Sequence, residues 1–266
     1  MSACICTIAR NEEPYLVEWL NYHFALGFAQ VFLYDNTPDA PSPMMFTLLD
    51  KYAGRLFVRH CGGSCIQRAA FADFLAWTDK DCHKWVAVLD LDEFIVLKKH
   101  ANIIDFLNEH CASGSVSLNW RFFGASGQLK YVDERVLKRF VYCDAQVDQH
   151  VKSISCIADI QDMYNSHFVL LKQGPEGNPL RLAYDTNGSP VDGPFNPGGP
   201  DDVAVVHHYW CKSAEEYAIK VAMKLTVCGL EKTAIPDDEL LTRNNEVFDD
   251  SAWQAYQEMV LNVCSS

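Results

Sequence analysis

The segment Trp85-Val86-Ala87-Val88-Leu89-Asp90-Leu91-Asp92-Glu93-Phe94-Ile95-Val96-Leu97 constrains the fold of this chain more than any other. Two apolar runs, Trp85–Leu89 and Phe94–Leu97, flank three carboxylates. A continuous apolar run of this kind reads as a strand buried on both faces, as in a parallel sheet covered by helices. Ligands of such sheets bind beyond the carboxyl ends of the strands, and Asp90 and Asp92 fall where the first run ends. Extended residues two apart point to the same side, so the two carboxylates converge and repel each other unless something positive joins them. A hard divalent cation is the usual answer, and it leaves positions for bound phosphate. An isolated Asp-x-Asp is more often a solvated turn or a cap. Here the buried flanks and the rest of the chain shift the balance toward a site.

The elements before this segment alternate. Ala3–Ala9 reads as a first buried strand, broken by Arg10-Asn11-Glu12-Glu13-Pro14. Asn11 suits an N-cap and Pro14 a first helical turn, with a helix over about 14–25 that Gly27 ends. Val31–Tyr34 is a second strand, closed by Asp35-Asn36. A helix over about 44–52 and a strand at 56–58 follow. This β-α-β-α-β order marks a doubly wound sheet with right-handed crossovers. Further helices are predicted over about 66–78 and 103–111, and a strand over 116–123. The second half is less regular: 132–142 reads as helical, 173–200 as a long Gly/Pro/Asn-rich loop of functional or mobile character. A strand at 203–206 then leads into His207-His208-Tyr209-Trp210. Ser213 and Glu216 have the spacing of a capping box, and 253–263 reads as a last helix. No composition shift divides the chain, so one domain over 1–266 is expected.

Composition narrows the function. Lys plus Arg number 22 against 35 Asp plus Glu, a net charge of −13. That argues against nucleic-acid binding, which needs basic faces, but not against a nucleotide whose phosphates a metal neutralises. The 11 cysteines include no Cys-x-x-Cys pair, so the thiols read as reduced and the compartment as cytosolic. No signal peptide and no transmembrane run is apparent. The reading is a cytoplasmic protein, with attachment to the cytosolic face of a membrane through a partner left open.

Several polar groups are expected at the carboxyl ends of successive strands: Thr7 to Glu12, Asp35-Asn36, Gly62 to Arg68, and Asp90 to Glu93. Together they would line one crevice able to hold a base, a ribose and phosphates. Arg68 is a natural phosphate partner, although a surface helix arginine looks the same in sequence, and Asp35 is equally a turn residue. His208 could complete a metal site begun by Asp92. A histidine satisfied in the core is the competing reading. Lys212 could meet phosphate.

Cys6 through Leu16 followed by Glu18-Trp19 and Gly27-Phe28, Phe32 through Asn36, Trp85 through Leu97, Trp120 through Gly127, Lys152-Ser153-Ile154, and His208-Tyr209-Trp210 with Lys212-Ser213 occur in one order. In this they resemble glycosyltransferase family 92 and its relatives in the broader family 2 group, over roughly residues 4–220. The resemblance implies a GT-A fold, that is, an α/β, Rossmann-like mixed central sheet flanked by helices. About 1–125 would form the nucleotide-sugar half, and about 126–266 the acceptor half with the metal-completing C-terminal segment. It implies a nucleotide-sugar donor, usually UDP-linked, a glycan or other hydroxyl acceptor, inversion at the anomeric carbon, and Mn2+ or Mg2+. By motif match, Asp90, Asp92 and His208 would serve the metal. Thr7, Ala9, Asn11, Glu12, Asp35, Arg68, Asp90, Leu91 and Lys212 would serve the donor. Gln128 stands where the family frequently has a histidine after the Ser-Gly pair, and His207 where it frequently has an asparagine.

For the base that takes the acceptor proton, Asp133, Glu134, Asp159, Asp162 and His167 lie in the acceptor half, and Asp159 and Asp162 are preferred because they follow Lys152-Ser153-Ile154. Two other functions use similar residues: a metal-dependent nucleotidyltransferase, which would release pyrophosphate, and a non-catalytic carbohydrate-binding relative.

Overall fold

The computed structural model of the chain describes residues 1–78, 82–163, 165–174, 182–228 and 234–261. The first half alternates as expected: β1 (Ala3–Ala9), α1 (Glu13–Leu26), β2 (Gln30–Asp35), α2 (Pro43–Lys51), β3 (Leu56–His60), α3 (Gln67–Trp77) and β4 (Trp85–Val88). Then come β5 (Glu93–Leu97), α4 (Ile103–His110), β6 (Ser115–Phe122), α5 (Val136–Arg139), β7 (Tyr142–Cys143), β8 (Val151–Cys156), β9 (Ile160–Asp162), β10 (Leu170–Leu171) and β11 (Ala183–Tyr184). The chain continues through β12 (Ala204–His208), α6 (Ala214–Cys228), α7 (Asp237–Thr242), β13 (Val247–Phe248) and α8 (Ser251–Tyr256). The expected start at Asn11 is displaced: Asn11 has φ 54°, and α1 begins after Glu12, with Pro14 in its first turn. Gly27 does end the helix, at φ 110°, donating back to the carbonyls of His23 and Phe24.

Among the described residues one sheet runs β3-β2-β1-β4-β8-β6-β12-β5, with β11 joined to β6. The strands β3, β2, β1 and β4 are parallel. β8 is antiparallel to both β4 and β6, and β12 is parallel to β6. It follows that β6 and β12 run with β1 and β4, whereas β8 and β5 run against them. This is the mixed α/β sheet flanked by helices that the sequence leads one to expect. Side chains alternate between its faces. Ile5, Leu33 and Ala87 pack with Leu16, Trp19 and Leu20 of α1, Met45 of α2 and Phe106 of α4. Cys4, Cys6, Phe32 and Val86 pack with Phe71 and Phe74 of α3 on the other side.

The two apolar runs of Trp85–Leu97 form two strands, β4 and β5, that are not neighbours: β8, β6 and β12 lie between them. In a flat sheet with strands ~4.8 Å apart, β4 and β5 would be about 19 Å apart. The Glu93 amide donates to the Asp90 carbonyl at 3.1 Å, so the connection is a tight turn that does not reach so far. The sheet therefore curls until its β5 edge stands beside the end of β4.

Two other expectations change. Of 132–142 only Val136–Arg139 is helical, because backbone groups there find partners elsewhere. The Tyr131 amide donates to Glu215 at 2.8 Å, and Val136 and Leu137 donate to the buried Glu18 carboxylate at 2.7 and 3.2 Å. The loop 173–200 includes residues 175–181, outside the described residues. Its described remainder is fastened to the sheet: Val151 donates to the Pro194 carbonyl at 3.1 Å, Asn196 to the Gln149 carbonyl at 2.7 Å, and the Asn119 amide to the Asn196 carbonyl at 2.8 Å. Residues 262–263 of the last expected helix also lie outside the described residues.

One buried ion pair joins α5 to α6, and Tyr15 of α1 adds a hydrogen bond to it. Arg139 of α5 meets Glu216 of α6 through two hydrogen bonds, 3.2 and 2.6 Å. Glu216 also accepts from the Ser213 hydroxyl and from Tyr15 of α1, each at 2.5 Å, and completes the expected capping box by accepting the Ser213 amide. Removing one partner of such a pair leaves a buried charge uncompensated. Arg139→Met is thus expected to cost about 3–5 kcal/mol in urea unfolding. Lys138→Met, which breaks the surface pair with Glu134 at 2.5 Å, should cost about 0.5 kcal/mol or less.

Candidate active site

Because β1, β4, β6 and β12 are parallel, their carboxyl ends share one edge of the sheet. That edge opens into a cavity of about 680 Å³. Arg10 and Glu12 enter it after β1, Asp90, Leu91 and Asp92 after β4, Phe122 from the end of β6, and His208 from the end of β12. Tyr217 and Lys220 of α6 and the segment through Arg243 and Asn244 form the far wall.

Each carboxylate of the turn has a lysine. The Lys152 ammonium, buried on β8, reaches Asp90 at 2.8 Å and Glu93 at 3.1 Å. The Glu93 carboxylate in turn accepts the Asp90 amide at 2.9 Å. Lys220 donates to Asp92 at 2.5 Å and to the Trp210 carbonyl at 2.8 Å. Burial alone would push both aspartates up, but Lys152 holds Asp90 below the usual carboxylate range, and Lys220 with His208 holds Asp92 well below it. Glu93 goes the other way, because its burial outweighs the attraction of Lys152. Burial also lowers His208, against the pull of Asp92, and so favours a neutral imidazole.

His208 Nε2 lies 3.6 Å from Asp92 Oδ2, and its Nδ1 is buried without a hydrogen-bond partner among the described residues. Two ligands of one cation with bonds of ~2.1 Å stand no more than about 4.2 Å apart, so this pair fits a shared divalent ion. Asp90 is turned to Lys152 and does not converge with the other two. His207, one residue earlier, points to the opposite face. It is fully buried, packs on Phe123 with ring centroids 4.5 Å apart, and lies 3.6 Å from Asp249.

The other expected donor residues divide. Glu12 and Leu91 line the cavity. Lys212 stands behind it, 3.5 Å from Glu12 and over the Tyr15 ring at 4.1 Å. Thr7 and Ala9 are buried below the rim, and the Thr7 hydroxyl has no partner among the described residues. Asn11 contacts Met223 of α6 at 3.0 Å. Asp35 takes the turn role: it is fully buried and accepts Thr37 N at 2.9 Å, Thr37 Oγ1 at 2.6 Å and Ser42 N at 2.8 Å. Arg68 does not line the cavity; its exposed side chain pairs with Asp162 at 3.1 Å.

That pairing also removes Asp162 from the cavity, and Asp159 is farther still. Asp159 follows β8, which runs against its neighbours, so it emerges at the opposite edge of the sheet and accepts the Gly114 amide at 2.7 Å. Neither preferred base reaches the cavity. His167 does. Its Nδ1 lies 3.1 Å from the Val151 carbonyl. A carbonyl only accepts, so Nδ1 carries the proton and Nε2 is left with its lone pair. Burial lowers this imidazole too.

Sequence reasoning also missed the aromatic floor and the far wall. The Trp120 ring lies 4.3 Å from that of His208, 5.0 Å from His167 and 5.1 Å from His150. Trp210 donates to Asn244 at 2.9 Å. Gly124 lets the far wall approach: a Cβ there would stand 2.3 Å from the Asn245 side chain and 2.4 Å from the Arg243 carbonyl. The Gly in the Trp120–Gly127 motif was the available signal, since a glycine after a strand often marks close backbone approach.

Comparison with known proteins bears on this geometry. The sequence model of glycosyltransferase family 92 matches residues 1–141, which include the β1 end, the acidic turn and Trp120–Gly127. A family 92 protein of Ricinus communis is 31% identical over 157 residues, 57% of this chain and 28% of that protein. One of Oryza sativa subsp. japonica is 28% identical over 156 residues, 58% of this chain and 26% of that protein. The matched region thus spans little more than a quarter of the length of these relatives. Among solved structures, S. aureus TarS in complex with UDP-GlcNAc is 17% identical with a TM-score of 0.38, over 59% of this chain and 46% of that one. HddC from Yersinia pseudotuberculosis is 12% identical with a TM-score of 0.41, over 76% and 96%. With more than half of its length matched by the family's sequence model, from the first strand past the acidic turn and β6 to the end of α5, the chain belongs to glycosyltransferase family 92.

Proposed function

We propose that this protein transfers a sugar from a nucleotide-sugar donor, UDP-linked, to a hydroxyl of a glycan or other acceptor, with inversion and with a divalent cation, Mn2+ or Mg2+. The observation that carries this reading is the pairing of Asp92 with a neutral His208 beside the Asp90 turn, at the mouth of a cavity walled by lysine and aromatic side chains. Asp92 and His208 would hold the ion, which neutralises charge on the departing nucleoside diphosphate. Asp90 serves the ribose side. Lys220 lies on the same wall and offers a second positive group to the diphosphate once its carboxylate has another partner. Trp120 gives the sugar an apolar floor. His167 takes the acceptor proton: it is neutral, its tautomer is set by the Val151 carbonyl, and its free Nε2 is the acceptor that a general base requires. Inside a cell the chain would work in the cytosol; among the described residues no helix is long and apolar enough to cross a membrane.

A screen of nucleotide sugars with Mn2+, read as thermal shift and slow donor hydrolysis, tests the reading. Release of a nucleoside diphosphate supports it. Release of pyrophosphate would make the chain a nucleotidyltransferase, and binding without turnover a carbohydrate-binding relative. Equal donor affinity with and without EDTA would refute the role of the cation.

Two sets of variants follow. Asp92→Asn and His208→Ala should each lower kcat by on the order of 10²–10³, as expected when charge stabilisation at a leaving group is lost. Their circular dichroism should stay unchanged. His207→Ala should lower stability but leave the activity of the folded fraction intact; the reverse pattern would place the ligand on the wrong histidine. His167→Gln should cost about 10²–10⁴ in kcat with donor affinity preserved, the range for a lost general base. Asp159→Asn and Asp162→Asn should be nearly silent, and a large loss in either would reject His167.

A further inference from the structure

A second group of ligating side chains lies away from the cavity. β5 leaves the acidic turn at Glu93 and runs to the other edge of the sheet. His100 follows its end, and Glu109 and His110 close α4, whose chain then enters β6 from that same edge. One nitrogen from each imidazole and one carboxylate oxygen lie within 4.8 Å of one another. His100 Nε2 is 2.9 Å from Glu109 Oε2, and His110 Nε2 is 3.5 Å from Glu109 Oε1. Each carboxylate oxygen thus faces one imidazole. The rings are mostly covered, their side chains 11% and 14% exposed, while Glu109 is 66% exposed and opens the group to solvent. Phe106 backs both rings, at 5.5 and 5.0 Å between centroids. His110 Nε2 is buried with no hydrogen-bond partner among the described residues, although it faces a carboxylate. Nearby Lys99 does not compete for Glu109, because its ammonium pairs with Asp202 at 2.5 Å.

We propose that His100, Glu109 and His110 form a binding site for a divalent transition-metal ion of the zinc type. Two imidazoles and a carboxylate are donors that Zn2+ takes in tetrahedral sites, with a fourth position for water. The ion gives the buried His110 nitrogen the partner it lacks and draws the ligand atoms from their present spread to the closer spacing of a shared sphere. The ligating nitrogen of each imidazole must be free of its proton, so His100 Nε2, which faces the Glu109 carboxylate at 2.9 Å, gives up its proton or passes it to Nδ1 when the ion binds, and binding strengthens as pH rises. The site joins the end of the β5–α4 connection to the last turn of α4. Its effect is to fix the edge strand that pairs with β12, independently of the donor cavity.

The test is metal binding to the EDTA-stripped whole chain. Titration with Co2+ should give the visible absorption of a low-coordinate cobalt site, and Zn2+ should displace it and raise the melting temperature. His110→Ala should abolish the bands, and Glu109→Gln, at an exposed position that does not threaten folding, should weaken binding by about tenfold or more. Asp92→Asn should leave the bands unchanged, which separates this site from the cavity. Absence of cobalt bands up to millimolar metal, their survival in both His110→Ala and Glu109→Gln, or their loss in Asp92→Asn would overturn the proposal.

Discussion

The cavity edge depends on one buried ammonium. Lys152 sits between Asp90 and Glu93, within 2.8 and 3.1 Å of their oxygens, in a turn that would otherwise gather three carboxylates at the end of a buried strand. Like charges at this spacing repel strongly where water is scarce. With Lys152 in place the turn closes tightly enough to send the chain from β4 straight to β5. The curl of the sheet, and with it the meeting of β1, β4, β6 and β12 at one rim, follows from that closure. Lys152 reaches the turn because β8 runs against its neighbours and so begins where they end.

The same logic extends outward. The chain carries an excess of acid, with a net charge of −13, yet the cavity is not a bare acidic hole. Lys220 holds Asp92 and Lys212 approaches Glu12. Each ammonium is supplied from late in the sequence to an acid supplied early. An anion entering here would meet positive groups already in position, and the carboxylates would change partner instead of gaining one from nothing. Desolvating an unpaired carboxylate would be far more costly.

Much of this was legible in the sequence, and the failures have physical causes. The alternation of strands and helices through β4 followed from apolar periodicity and from punctuation by Gly27 and Pro14. The opposite facing of His207 and His208 followed from the two-residue period of a strand. Periodicity carries no information about direction, however. Whether Asp159 lies at the rim or at the far edge is decided by β8 being antiparallel, which no residue between 151 and 156 announces. Nor does a run of apolar residues say where its strand lies in the sheet, so the two runs of Trp85–Leu97 did not announce that β8, β6 and β12 stand between them. Asp35 shows a third limit: a carboxylate at a strand end is equally suited to a ligand and to the backbone amides of its own turn, and here the amides of Thr37 and Ser42 are nearer. His167 was one of several candidates in sequence; the Val151 carbonyl that sets its tautomer is known only from the fold.

Gly124 has a consequence for how the molecule is assembled. By admitting the backbone of Arg243 and Asn244 against the end of β6, it makes this late segment a wall of a space that Arg10 and Glu12 also line. Contacts between such distant parts of a chain carry the largest loop-closure cost and are late to form. A chain emerging from the ribosome can complete β1 through β4 and bury both faces of that sheet while the cavity still has one side missing. The cavity would then be enclosed only when residues 235–244 dock against the end of β6.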